Sequence, residues 1–540
     1  MISPVRHRPL ARYVGRHLFA HTHCYCTAAA ASSVPAGETH IDLSTVGALP
    51  PRSTAPRYQA TAFPYEELYQ HVLDKKKKDQ SYRYFRSITR LQDQFPLARC
   101  NRTGKKVDVW CSNDYLAMGS HPAVITAMED ALHTYGANSG GSRNIAGHSS
   151  LVETLEASIA ELHKKPAALY FSSGFAANEA ALITLGSQLP DCVIFSDELN
   201  HASMIDGIRH SKAKRHVWKH NDLASLEALL ALYPIEVPKI IAFESVYSMC
   251  GTIAPIAAIC DLAERYGAIT FMDEAHAIGL YGPRGAGIAE HLDFSAHQSG
   301  RLTGRTTMER VDVISGSVSK GLGTMGGYIA SSARLIDLVR SVARAFIFTT
   351  TQSPAVMAGG RAAIQHQLQH PDGRIALQRN VAAVKRKMAA YDLPVLPNQS
   401  HLVPLMIGDA ELTRRVTDLL FDEYHIYVQA INSPTVAVNM ERVRISPTGA
   451  HGAAQQDALV GALVDIWSRL GLRKGSDWQR MGVWDAKDAA VTQLWTDEQL
   501  GLTLGPFASA ASSLSYPLPD MPAEGHVQGA ISSKAPASIP

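Results

Sequence analysis

The sequence predicts an α/β protein: a large domain on a mostly parallel sheet, followed by a smaller C-terminal α+β domain. Three observations carry this. Short apolar runs at Ala168–Phe171, Cys192–Phe195, Ile240–Phe243, Ile269–Met272 and Val311–Ile314 alternate with amphipathic helical segments. Runs apolar on both faces suit strands covered by helices on each side of a sheet. After Leu335 the alternation gives way to helices with short strands at Leu402–Ile407, Ile426–Val428 and Arg442–Ile445.

Taken in order, residues 1–37 carry Arg6, Arg8, Arg12 and Arg16 and no acid before Glu38, the composition of a mitochondrial presequence. A Pro/Ser/Thr-punctuated linker completes the stretch 1–60. His21, His23, Cys24 and Cys26 crowd too closely for a tetrahedral structural site, so no metal is expected. Folded protein is expected from near Tyr65, beginning with an N-terminal segment over 61–110. There Lys75–Lys78 reads as a solvated face, and Tyr82-Arg83-Tyr84-Phe85 sets one arginine among aromatics.

The large domain is expected over 111–345. Ser150 with Glu153 reads as a capping box opening a helix whose apolar stripe is Leu151, Leu155, Ile159 and Leu162. Ala258–Tyr266 reads as a helix stopped by Gly267, and Ala176–Leu185 as another entered through Ser173-Gly174-Phe175. The smaller domain is expected over 346–475. An extension over 476–540 keeps Trp478, Trp484 and Trp495, then turns Ala/Ser/Pro-rich from Gly505, which predicts partial disorder.

The whole chain excludes some classes. With 19% charged residues and a formal net charge of +2, it has no bias toward nucleic acid. No apolar run approaches the ~18 residues of a membrane span. Seven scattered cysteines without a CxxC pair fit a reducing compartment.

Open α/β sheets bind ligands at the carboxyl ends of their strands. The residues just beyond the five runs are Ser172-Ser173-Gly174, then Ser196-Asp197, Glu244-Ser245 with Ser248 further on, Asp273-Glu274-Ala275-His276, and Ser317 to Lys320. One edge thus collects hydroxyls, carboxylates, an imidazole and a lysine. That set meets the needs of pyridoxal phosphate. Lys320, in ISGSVSKGLGTMGGY, suits a Schiff base; Asp273 suits the ring nitrogen, whose protonation an ionised carboxylate favours. His276 suits the phenolic oxygen, and the helix entrance after Ser173 suits a phosphate. Residue chemistry alone does not choose the reaction.

The motifs WCSNDYLAMGSHP (110–122), NSGGSRNIAG (138–147), FSSGFAANEA (171–180), SDELNHASMIDGIRHS (196–211), FESVYSMCG (243–251), DEAHAIGLYGPRGAG (273–287) and YVQAINSPTV (427–436) resemble the α-oxoamine synthases. Within that family the resemblance, over about residues 65–475, is greatest to the branch that joins glycine to succinyl-CoA. LWTDEQLGLT (494–503) resembles the C-terminal extension of its fungal members. The resemblance implies an aspartate-aminotransferase-like fold (PLP fold type I) and pyridoxal 5'-phosphate as cofactor. It also implies a homodimer with shared active sites, and residence in the mitochondrial matrix. The implied activity is an acyltransfer giving 5-aminolevulinate, CoA and CO2, the first step of haem (tetrapyrrole) biosynthesis.

By matching motif, Lys320 resembles the cofactor-bearing lysine, Asp273 the ring-nitrogen partner and His276 the contact to the phenolic oxygen, with His201 stacked on the ring. Lys320, His201 and Asp273 form the implied catalytic set. Ser173, Gly174, Phe175, Ser248 and Ser317 would hold the cofactor, with Thr349 and Thr350 reaching the phosphate from the neighbouring subunit. Asn113 and Arg444 match the positions for the glycine carboxylate, Arg83, Ser142, Asn144 and Thr435 those around the succinyl carboxylate, and Ser196 and Arg215 those for succinyl-CoA. Two separate arginines suit two substrates that each carry one carboxylate.

The chain departs from the family pattern near the lysine: GSVSKGLG (316–323) stands for GTLGKAYG, Ala343-Arg344-Ala345-Phe346 for APGF, Met249-Cys250-Gly251 for MDG, and Ser142 for threonine. These departures keep two rivals in view, a paralogue using another amino acid or acyl-CoA and a non-catalytic partner subunit. Retention of Lys320, Asp273 and His276 opposes the second.

Overall fold

The computed structural model describes residues 63–301, 304–485 and 493–502. The presequence and linker expected over 1–60, the His/Cys group within them and the Ala/Ser/Pro-rich stretch from 505 lie outside the described residues. The chain divides into two units, Met1–Leu68 and Tyr69–Pro540. Of the first, the described part ends in the opening turn of helix α1 (Tyr65–Lys78).

The second unit is organised by a seven-stranded sheet. Its strands are β4 (Ala167–Phe171), β5 (Val193–Asp197), β6 (Lys214–Trp218), β7 (Lys239–Glu244), β8 (Ala268–Asp273), β9 (Val313–Ser317) and β10 (Gly327–Ser331). The order is β4-β10-β9-β8-β7-β5-β6, parallel except for β10, which runs antiparallel to both neighbours. The five apolar runs place β4, β5, β7, β8 and β9 to within about three residues, and no run marks β6 or β10.

Alternation explains why the runs are apolar throughout. Ile240, Ala242, Phe271 and Val313 face one core with Ala177, Ala181 and Leu182 of α4 (Gly174–Gln188). Ile241, Phe243, Met272 and Ile314 face the other, to which α2 (Pro122–Tyr135) contributes Val124, α6 (Leu223–Leu230) Leu226, and α7 (Ile256–Tyr266) Ile259 and Leu262. Side chains of successive residues point to opposite faces, so a sheet between two helical layers needs both sets apolar. Gly267 ends α7 at φ +65, as its position suggested.

The capping-box reading at Ser150 is corrected. The helix α3 (Ser150–Leu162) has Ser149 at its N-cap with no side-chain bond, and Glu153 turns instead to His148 Nε2 at 2.8 Å. A hydrogen bond to a nearby imidazole competes with the cap for the same carboxylate.

Two smaller sheets complete the fold. One is β11 (Val403–Met406), β14 (Arg442–Ile445) and β13 (Gln429–Ile431), antiparallel throughout. In the other, β1 (Ile88–Arg90), β2 (Leu97–Cys100) and β3 (Lys106–Val109) are joined in parallel by β12 (Ile426–Tyr427). The segment before residue 110 is thus stitched to a strand more than 300 residues later. Trp478 and Trp484 stack and pack on Met406, and Trp495 lies against His291 and Phe294. The described part of the extension is therefore held by its tryptophans.

Among the described residues, no helix is long and apolar enough to cross a membrane, no group of three ligating side chains is placed to hold a metal, and the five cysteines are free.

Candidate active site

Strand register brings the carboxyl edge together. Glu244 pairs with Asp273, and Asp273 with Ser315, two residues before Ser317. Asp273 is held by two N–H donors, Asn178 Nδ2 at 2.7 Å and Ala275 N at 2.7 Å. Beside it, burial first and the Asp273 charge second push Glu244 well above the usual carboxylate range, with Lys320 opposing. Burial beside a second carboxylate thus favours the protonated form of Glu244.

Lys320 lies beyond β9 in the tight turn where Gly323 N donates to its carbonyl. Desolvation lowers its amine; Asp273 and Glu244 oppose that and Arg444 adds to it. The three groups are therefore within electrostatic reach of the lysine. His201 caps α5 (Ala202–Ser211), accepting from Ser203 N at 3.2 Å, while its ring lies edge-on to Phe175 with centroids 6.3 Å apart. Desolvation lowers His201, the Asp273 charge opposing and Lys320 reinforcing.

A second row of polar groups faces the cluster. Burial, then Lys320 and Arg444, hold His276 well below its usual range, so it is neutral. Its Nδ1 lies 2.8 Å from Tyr115 Oη, and that phenol, which burial pushes up to about 12, donates at 3.2 Å to Asn113 Oδ1 or at 2.8 Å to His276. Arg444 Nη2 donates to Asn113 Oδ1 at 2.8 Å, and its Nη1 to the Ser248 carbonyl at 3.1 Å. A cavity of about 490 Å³ is bounded by Arg90, Asn113, Ser120, Ser319 and Gly323, so Asn113 and both flanks of the lysine turn share it.

At the entrance of α4, Ser173 Oγ accepts from Ala176 N at 3.1 Å. Gly174 sits so close to β9 that an added Cβ would meet Ser317 Cβ at 3.1 Å. Only glycine lets the helix N-terminus and Ser317 share one small volume, leaving backbone donors at its rim. Ser317 Oγ is 2.7 Å from Ser319 Oγ.

These features fit pyridoxal 5'-phosphate. A desolvated amine, an anchored carboxylate, a neutral imidazole and a helix N-terminus are the donor set the group needs. A Glu244 oxygen buried without a partner shows the edge is not closed on itself.

The remaining expected residues fall into other places. Arg83 Nη2 donates to Thr435 Oγ1 at 3.0 Å, and both line a second cavity of about 530 Å³ with Tyr82, Phe85, Met249 and Asn432. Ser142 forms an isolated bridge with Thr350, beside Ser172 and Thr349 at a small recess. Asn144 is exposed in the π-helical turn Arg143–Gly147. Neither Ser142 nor Asn144 lines the cavity around Arg83. Ser196 is buried, accepting from Asn200 Nδ2 at 3.0 Å, whereas Arg215 is exposed on the edge strand β6, level with Ile194. Among the described residues, no hydrogen bond or ion pair ties Arg215 to the lysine cluster.

Sequence reasoning misses Asn178 and Tyr115, although both lie inside the family-like motifs. Asn178 stands four residues after Gly174 on the helix assigned to the phosphate, and Tyr115 two after Asn113. Glu274 lies at the edge as its position suggests but serves as a tie, accepting from Ser245 Oγ at 2.6 Å and from Ile288 N and Ala289 N at 3.1 Å.

Residues 105–463 match the family model of aminotransferase class I and II. The chain is 54% identical over 446 residues to the mitochondrial 5-aminolevulinate synthase of Neurospora crassa, covering 82% of this chain and 71% of that protein. Against the Saccharomyces cerevisiae protein of the same name it is 50% identical over 458 residues, covering 82% and 84%. Among solved structures it is similar to a serine palmitoyltransferase of S. paucimobilis with bound PLP, at 26% identity and TM-score 0.67, covering 75% of this chain and 98% of that one. The fold is that of the PLP-dependent enzymes of fold type I, and the chain belongs to the 5-aminolevulinate synthase family.

Proposed function

We infer that this chain catalyses the condensation of glycine with succinyl-CoA to 5-aminolevulinate, CoA and CO2, opening haem biosynthesis in the mitochondrial matrix. The observation that carries this reading is the meeting of Lys320, Asp273 and the Asn113–Arg444 pair at one sheet edge, in a chain 54% identical to an enzyme of that name. The relatives are named mitochondrial, and the first 37 residues of this chain are basic and free of acids.

Lys320, Asp273, His276, His201, Ser173, Gly174, Phe175, Ser248 and Ser317 would hold pyridoxal 5'-phosphate, which when bound supplies an electron sink for negative charge at the substrate α-carbon. Arg444, steadied by Asn113 and the Ser248 carbonyl, presents a fixed fork to the glycine carboxylate. Lys320 Nζ, its proton affinity lowered by desolvation, takes the α-proton and later returns one. Asp273 is held on its two N–H donors, while the raised Glu244 carboxyl keeps its proton and spares the edge a second buried charge. Arg83 and Thr435, already hydrogen-bonded, receive the succinyl carboxylate at the mouth of their cavity.

The active unit we propose is a homodimer. Ser142 bridges Thr350, Thr349 and Thr350 line a small recess, none of these residues nor Asn144 lines the Arg83 cavity, and Ile145 and Phe348, adjacent in sequence to Asn144 and Thr349, are 80% and 75% exposed. Large apolar side chains bared next to residues matched to substrate and phosphate suit a second copy that brings them to its neighbour's site.

Purified protein loaded with pyridoxal 5'-phosphate should release CoA and form 5-aminolevulinate from glycine and succinyl-CoA. Alanine or serine, and longer acyl-CoAs, serve as the competing arms. Faster turnover with one of those pairs would assign a paralogue activity instead. A strain dependent on added 5-aminolevulinate should grow without it when it expresses the chain.

A further inference from the structure

A relay of buried and half-buried groups lies behind the loop that steadies Arg444, and no step of the proposed reaction uses it. Asp197, at the end of β5, accepts from Leu199 N at 2.8 Å and from Asn221 N at 3.1 Å, and stands 2.9 Å from His220 Nδ1. His220 Nε2 is 2.7 Å from Thr252 Oγ1, which in turn is 2.9 Å from Cys250 Sγ. Asn221 Nδ2 adds a bond to the Ile253 carbonyl at 3.1 Å. The turn between these contacts closes on itself, Gly251 N donating to the Tyr247 carbonyl and Tyr247 N donating to the Thr252 carbonyl.

The outer side of the same turn faces two arginines. The Ser248 carbonyl accepts from Arg444 Nη1 at 3.1 Å and the Met249 carbonyl from Arg442 Nη1 at 3.2 Å. From the opposite direction Gly251, at φ +75, is pressed so close to Asn398 and Ser400 that an added Cβ would meet Asn398 Cγ and Ser400 Oγ at 2.9 Å. The turn is thus fixed at three points, and its carbonyl direction sets the plane of the Arg444 guanidinium.

We propose that His220 and Cys250 are positioning residues: their relay through Thr252 braces the 248–251 turn, whose carbonyls aim Arg444 at the amino-acid carboxylate. The contacts form one continuous chain: Asp197 faces His220 Nδ1, His220 Nε2 faces the Thr252 hydroxyl, and that hydroxyl faces the Cys250 sulfur. Burial alone would lower His220, but Asp197 and Cys250 raise it to about 9. Burial alone would raise the Cys250 thiol, yet His220 and Thr252 bring it below its usual range. The brace rests on the assignment of Arg444 to the glycine carboxylate.

The test compares H220A, C250A, C250D and R444K holoenzymes by glycine KM, kcat and amide exchange of the 248–253 segment. Loss of a buried charged partner should raise the glycine KM about tenfold in H220A, with kcat changed less than about threefold and faster exchange in the turn. C250A should move the same way, and C250D, which restores an anionic acceptor to Thr252, should return KM to within about twofold of the parent. Unchanged exchange in H220A overturns the brace. Faster exchange with an unchanged KM, while R444K raises KM, overturns its link to Arg444. A normal glycine KM in R444K removes the carboxylate reading itself, and the positioning role with it.

Discussion

The groups around Lys320 all belong to one chain, whereas those matched to the acyl substrate lie in several separate places on it. Asp273, Glu244, His276, His201 and Arg444 each sense the lysine or its neighbours electrostatically, and register between adjacent strands brings Glu244 and Asp273 level. Arg83 and Thr435 line one cavity, and Ser142 with Thr350 sits at another. The contrast frames the proposed division of labour: amino-acid activation by groups within one chain, acyl recognition by groups that the proposed homodimer brings together. A sheet edge is rigid and needs no partner; split residues on bared apolar surface do.

The sharpest way to break the first half is Lys320→Ala. Product formation should fall by about 10³-fold or more and cofactor absorbance attached to the protein should vanish, with the melting temperature of the bare protein little changed. Asp273→Asn should come next, lowering kcat by about 10²-fold while leaving the cofactor bound through Lys320 and the helix entrance. Retention of full activity by either variant would detach the chemistry from the sheet edge.

The second half is sharpened by mixing two inactive proteins. Arg83→Ala and a Ser142→Ala/Asn144→Ala double variant, each nearly inactive alone, should recover about a quarter of parental activity after co-refolding, because half the dimers are hybrids with one intact site. No recovery would mean that all four residues act within one chain. The smallest effect is expected from Ser142→Thr. Its added methyl, worth ~1 kcal/mol, should sharpen discrimination between succinyl-CoA and longer acyl-CoAs by several-fold.

Much of this was legible in the residues because the large sheet is local in sequence. Asp273 follows its apolar run directly and Lys320 lies three residues beyond the end of β9, so both candidates stand out from their places beyond the strands. The antiparallel strand β10 was not distinguished, since a strand buried on both faces reads the same in either direction. Pairing of β3 with β12 was also hidden, because nothing in either four- or two-residue strand encodes a partner more than 300 residues away. Capping at Ser150 failed for a local reason: His148 offered Glu153 a better partner than the backbone did. The Asp197–His220–Thr252–Cys250 relay has no motif, since its members come from separate stretches of chain and meet only in the fold.

Most directly, borohydride reduction of the cofactor-loaded protein followed by peptide mass spectrometry tests where the chemistry resides. The account predicts one modified peptide, carrying the pyridoxyl group on Lys320, and its disappearance when excess glycine is added before reduction. Modification at any other lysine, or none while activity persists, would contradict it.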